Sequence, residues 1–269
     1  MRNLKSFILA SACAAAMAMP AMADEAAEAS VTPASANLVY ASFTGGWLSA
    51  DFDGFDGDVF YGFLSGGFRI SESGWNMQAD LGQDSTSLDV GPELDNFSIG
   101  LSLFMRDSNA HALGAAVERQ AITSNVFSSA HWLNYGVFGE YYSGDFTVGG
   151  ALFLIDGDLI EGWGGQIDGS WYICDNAALR GKFRWNDVDG APDTSTVFGL
   201  SAEYQFSYFA PLVFGVDYEH VEGFSSNSSD LLGVHFTWRV GGSSSDVMMD
   251  RDRNGTIDTR MTTSVREIF

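Results

Sequence analysis

Residues 95–106 read Asp-Asn-Phe-Ser-Ile-Gly-Leu-Ser-Leu-Phe-Met-Arg. Phe97, Ile99, Leu101, Leu103 and Met105 form an apolar row, with Ser98, Gly100 and Ser102 between them. A period of two sends the two sets to opposite faces of an extended strand. The same alternation recurs downstream. Leu179, Phe183 and Trp185 alternate with Arg180, Lys182 and Arg184. Phe198, Leu200, Ala202, Tyr204 and Phe206 alternate with Gly199, Ser201, Glu203 and Gln205. Leu212, Phe214, Val216 and Tyr218 alternate with Val213, Gly215, Asp217 and Glu219, and Leu232, Val234, Phe236 and Trp238 with Gly233, His235, Thr237 and Arg239. One face is oily and the other carries charges and glycines.

Working outward, twelve such segments lie at 38–50, 58–70, 74–84, 95–106, 110–120, 130–142, 145–155, 163–174, 177–187, 194–206, 211–220 and 231–240. Their connections alternate in length. Short ones, such as Ser143-Gly144 and Asp175-Asn176, follow the even-numbered segments; long ones, such as Ser85 to Leu94 and Val221 to Asp230, follow the odd-numbered ones. A soluble sandwich also has two-faced strands. Alternating tight turns and long loops instead point to an up-and-down barrel that crosses a membrane. Only helices and closed sheets satisfy the backbone in lipid, and nothing after residue 23 has 18 consecutive apolar residues. The expectation is an all-β, transmembrane, up-and-down antiparallel β-barrel of about 12 strands, over residues 38–240.

The ends of the chain frame this barrel. Met1 to Ala23 has basic Arg2 and Lys5, an apolar stretch from Phe7 to Met19, and a small-residue site at Ala21-Met22-Ala23. These are the parts of a secretory signal peptide, cleaved near Ala23. Residues 24–37 are Ala- and Glu-rich with little apolar pattern and read as a disordered lead-in. Only Cys174 remains after cleavage, so no internal disulfide forms. Thirty-one Gly, five Pro and 14% aromatics agree with sheet. The formal charge of −22 argues against nucleic acid as a partner.

The charge is unevenly placed. The long connections and their edges carry Asp51, Asp53, Asp56, Asp58, Asp84, Asp89, Glu93, Asp95, Asp156, Asp158, Glu161, Asp187, Asp189, Asp193, Glu219, Glu222 and Asp230. Arg69, Arg106, Arg180, Lys182, Arg184 and Arg239 lie toward the opposite end. An acidic mouth concentrates cations, although charged loops also serve solubility. Charge is costly on a lipid face, so Asp168, Arg180, Lys182, Arg184, Glu203, Asp217 and Arg239 are the candidate lumen-lining residues. They form either a salt-bridge filling or the wall of a constriction. Tyr141, Tyr142, Trp132, Trp163, Trp171 and Trp185 are candidates for interfacial belts.

The chain resembles the porin-like group of Gram-negative outer-membrane barrels, in its architecture over residues 38–240 and in its last strand. The resemblance implies an assembly signal there, a Gly followed by two spaced aromatics, matched by Gly233, Phe236 and Trp238. It implies outer-membrane lipid and the barrel assembly machinery as partners. It also implies a channel for passive passage of small solutes or ions, to which the acidic mouth adds cation preference. The alternative is a non-conducting structural or adhesive barrel with surface-exposed acidic loops. No Gly-x-Ser-x-Gly accompanies His111, His131, His220 or His235, so no enzyme is expected.

Residues 241–269 read as a separate periplasmic tail that opens on the linker Gly241-Gly242-Ser243-Ser244-Ser245. Asp250, Asp252, Asn254, Thr256 and Asp258, with Gly255 at the sixth position, match the first nine positions of an EF-hand-type calcium loop. Met261 stands where a bidentate Glu belongs. The two readings are a Ca2+ site and an Asx-turn loop that binds nothing.

Overall fold

A computed structural model of the chain describes residues 39–258, apart from 53–54, 71–73, 90–92, 126–128, 158–159, 207–210, 225–227 and 242–246. The signal peptide read at 1–23 and the lead-in at 24–37 lie outside the described residues.

Twelve strands follow in chain order: β1 (Val39–Phe52), β2 (Phe55–Arg69), β3 (Trp75–Leu88), β4 (Glu93–Asp107), β5 (His111–Ser124), β6 (Ala130–Ser143), β7 (Phe146–Gly157), β8 (Glu161–Cys174), β9 (Ala177–Val188), β10 (Ser195–Gln205), β11 (Leu212–Glu222) and β12 (Ser228–Gly241). Each pairs antiparallel with its sequence neighbours, and β1 closes on β12 from Tyr40↔Gly241 to Phe52↔Ser229. The result is a closed up-and-down barrel with no free sheet edge. One irregularity, between Tyr172 and Cys174, interrupts the β8–β9 ladder. Val39 and Gly241 lie together at one end, called here the terminal end; the other is the far end.

The barrel is inside out relative to a soluble sheet. On β4, Phe97, Ile99, Leu101, Leu103 and Met105 are all exposed, whereas Ser98, Ser102 and Arg106 are buried. Leu200, Val216 and Leu232 likewise face outward, while Gln78, Gln120, Asn134 and Gln205 are fully enclosed. No second layer of polypeptide covers the apolar rows among the described residues.

The strands run to 11–15 residues, most of them longer than expected though β10 is shorter, and most of the extra length is at the far end. At about 3.3 Å per residue and about 45° tilt, a 14-residue strand rises about 33 Å, slightly more than a hydrocarbon core. The alternation of short and long connections is largely lost. Far-end links shrink to 53–54, 89–92, 125–129, 158–160, 189–194 and 223–227, against 70–74, 108–110, 144–145, 175–176 and 206–211 at the terminal end. The cause is that the acidic, Gly-rich segments continue the ladder: Asp51 pairs with Asp56 and Phe52 with Phe55, and Trp47 Nε1 donates to Asp58 Oδ1 at 2.9 Å.

The belt expectation needs correction at two residues. Trp132 and Tyr142 are each 3% exposed and point inward. Tyr141, Trp163 and Trp171 are exposed, and Trp185 is partly so. Trp171 stacks on Phe146 near the terminal end, and Trp163 meets Trp185 edge-on near the far end.

Candidate functional site: the lumen and its closure

The tight turn at 175–176 sets β8 against β9 so that Ser170 faces Arg180, Asp168 faces Lys182 and Gln166 faces Arg184. The long cations need room, and glycines of the neighbouring strands supply it. A Cβ on Gly199 would fall 2.6 Å from the Lys182 chain, and one on Gly215 would fall 2.2 Å from the His235 ring.

The charges then pair. Arg180 Nε lies 2.9 Å from Glu203 Oε1, and its Nη1 donates to Ser170 Oγ at 2.7 Å. Lys182 Nζ meets Glu219 Oε1 at 2.5 Å. Arg184 donates twice to Gln166 Oε1, at 3.2 and 2.9 Å. His235 Nδ1 sits 2.6 Å from Asp217 Oδ2 and its Nε2 3.4 Å from Glu203. Asp217 also accepts from the Tyr61 hydroxyl at 3.4 Å. Together these groups border a cavity of about 330 Å³. That volume suits about ten waters or a small organic solute. Asp168, Arg180, Lys182, Arg184, Glu203, Asp217 and Arg239 all line it. They form a paired, cross-linked wall, with solvent-sized space beside it.

The terminal end of this cavity is closed by the chain's own tail. Residues 247–258 do not form a separate unit outside the barrel. They enter it as a short helix, α1 (Met248–Asn254), and an extended run. The Met248 amide bonds Asp175 O at 2.8 Å, and the Met248 side chain is fully buried in a cluster with Tyr172, Ala178 and Val213. Arg253 donates to the carbonyls of Gly144 and Phe146, both at 2.8 Å, and to Thr147 Oγ1 at 3.3 Å. Its guanidinium lies 5.1 Å from the Tyr142 ring centre. Gly144, at φ +53°, allows the tight turn that aims its carbonyl this way. Across the mouth, Arg106 donates to Gly255 O at 2.6 Å and Thr256 bonds Ser42 at 2.8 Å. The Gln78 amide exchanges two bonds with the Ile257 backbone, at 2.7 and 3.0 Å.

Asp252 is the electrostatic centre of the plug. Its Oδ2 accepts from Arg180 at 2.5 Å and from the Tyr172 hydroxyl at 2.9 Å, and its Oδ1 from Arg239 at 2.8 Å. The other residues of the calcium-loop pattern go elsewhere. Asn254 Nδ2 donates to Asp250 O within the helix, and Thr256 bonds Ser42. Helical spacing turns alternate side chains away from one another. Among the described residues, no three His, Cys, Asp or Glu side chains gather so as to hold a metal ion.

Toward the far end the lumen holds buried polar side chains, Thr86, Asn96, Gln120, Asn134, Asn186 and Ser195 among them, interleaved with apolar ones. Leu94, Ile122, Trp132, Phe153, Ile155 and Phe224 pack in one cluster, and Leu48, Val59, Val197, Val221 and Leu231 in another. A charged chamber therefore sits between a far end packed with polar and apolar side chains and the plug.

The three assembly-signal candidates lie at the closing seam. A Cβ on Gly233 would fall 2.0 Å from Trp47 O, so the glycine permits β12 to close on β1. Phe236 faces outward, and Trp238 is partly exposed. Tail docking was not read from the sequence. Its local signals are the apolar Val247, Met248, Met249 and Ile257 and the cations Arg251 and Arg253.

No protein-family model and no curated protein matches this chain. Solved structures do. The COG4313 outer membrane channel from Pseudomonas putida F1 superposes with a TM-score of 0.55 at 14% identity, covering 78% of this chain and 100% of that one. The β domain of the Bordetella autotransporter BrkA gives 0.50 at 10%, covering 76% and 99%. The KdgM porin gives 0.49 at 10%, covering 72% and 98%. At such identities the likeness concerns the fold, and the fold is that of the outer-membrane β-barrels.

Proposed function

We propose that the protein is an outer-membrane channel for small ions or solutes, cation-preferring at its far mouth, and closed in the state described. The observation that carries this reading is a charged chamber inside a barrel whose outer face is apolar. With both termini in the periplasm, the far end faces the exterior. There Asp51, Asp56, Asp156, Asp187, Asp189 and Asp230 are exposed. Their potential attracts cations. In this reading the signal peptide is cleaved near Ala23 and the barrel assembly machinery inserts the strands. Catalysis has no support in the lumen histidine, since His235 is held by Asp217 and Glu203. The packed far end and the plug favour a second reading, a non-conducting structural or adhesive barrel.

Planar-bilayer recording of the purified protein separates the two. The channel reading expects brief openings whose reversal potential in a KCl gradient shifts toward that of K+. Anion preference contradicts the selectivity, and silence under all voltages supports the second reading.

A further inference from the structure

We infer that Arg180, Arg239 and Tyr172 form a carboxylate-binding site of which Asp252 is the resident, displaceable occupant, and for which a small carboxylate solute competes. The inference rests on the channel reading for the ligand's route of access but not for its affinity.

Three donors converge on one carboxylate. Arg180 and Tyr172 serve one oxygen and Arg239 the other, at 2.5, 2.9 and 2.8 Å. Two of the three donors are charged, and such hydrogen bonds are roughly twice as strong as neutral ones. The donors are held without the tail. Arg180 is fixed by Glu203 and Ser170, and Arg239 Nη2 also lies 3.7 Å from Glu203. The site therefore survives removal of its occupant. The local charges also ask for an anion. Two guanidinium groups face Glu203 and Asp252; without Asp252 one positive charge stays unmatched. Arg239 Nη1 is buried and bonds nothing even with the tail in place. The chamber of about 330 Å³ borders Arg180, Glu203, Arg239 and Asp252, so a solute has room to stand there.

The occupant belongs to the same chain, joined to β12 through residues 241–247. An intramolecular occupant competes at an effective concentration of about millimolar even before its other anchors, Met248 and Arg253 among them, are added. A free carboxylate must outcompete that presence, so the intact chain binds it more weakly than one that lacks the Asp252 carboxylate. Binding of the solute and displacement of the Asp252 carboxylate are then one event.

The test is calorimetric titration of succinate into the detergent-solubilised full chain, with circular dichroism as the check on folding. Asp252→Ala and a chain ending at Ser245 should each bind succinate at least about tenfold more tightly than the wild type. Adding Arg180→Ala and Arg239→Ala to Asp252→Ala should abolish that gain. Equal affinity in wild type and both tail variants, or unchanged affinity without the arginines, overturns the site. Because binding is read without current, a silent protein that still binds succinate in this pattern would count against the channel reading alone.

Discussion

Leu101 and Ser102 are adjacent and have opposite surroundings: 52% exposed on the outer face and 3% exposed toward the lumen. The outer position is favourable only if lipid covers it. Leu101→Lys should therefore lower unfolding stability in lipid vesicles by about 2–4 kcal/mol. Thr44→Lys, on the wall of the cavity, should stay within about 1 kcal/mol of wild type in the same denaturant titration. Similar losses at both positions would contradict the two-faced wall. Gly233 carries a different constraint. Its missing Cβ is what lets β12 approach the backbone at Trp47. Gly233→Val forces the seam apart and should cost about 1–3 kcal/mol, read as a lower urea midpoint.

At the scale of elements, the strands were legible and their ends were not. Alternation in segments such as 97–105 comes from a local rule, so it is visible in the residues themselves. Asp51 to Gly57 looks like a loop because its residues favour turns, yet it pairs almost completely. The neighbouring ladder extends through it, and that is a non-local effect. The seven lumen candidates could be picked out because period two and the cost of charge in lipid leave them one place to go. The tail could not. Its docking depends on Arg180, Arg239 and Gln78, which lie 72, 13 and 179 residues from their partners Asp252 and Ile257 in the chain. A calcium-like spacing is legible in Asp250 to Asp258, but the helix that disperses those side chains is stabilised by the barrel around it. Arg253 anchors that helix through three hydrogen bonds. Arg253→Ala should make the amides of residues 248–257 exchange at least about tenfold faster in hydrogen-exchange mass spectrometry, with the strands unchanged. Equal exchange of these amides in wild type and Arg253→Ala would show that Arg253 does not hold the plug.

At the scale of the molecule, closure at both ends defines the state. The terminal end is filled by the tail, through hydrogen bonds and the buried side chains of Met248 and Ile257, and the far end by interleaved polar and apolar side chains of the wall. In the proposed channel the tail, unlike the wall, can be removed without cutting a strand. A chain ending at Ser245 should open more often than the full chain in planar bilayers, and equal open probability would remove the plug from the account. Both behaviours presuppose that the barrel stands in lipid with its apolar rows outward. Spin labels placed singly at residues 97 to 105, in a Cys174→Ser chain reconstituted in vesicles, test this most directly. Labels at 97, 99, 101, 103 and 105 should be relaxed by oxygen and not by a water-soluble nickel complex, while those at 98, 100, 102 and 104 should show little of either. Odd-numbered labels shielded from both reagents, as in a packed protein interior, would contradict the membrane barrel.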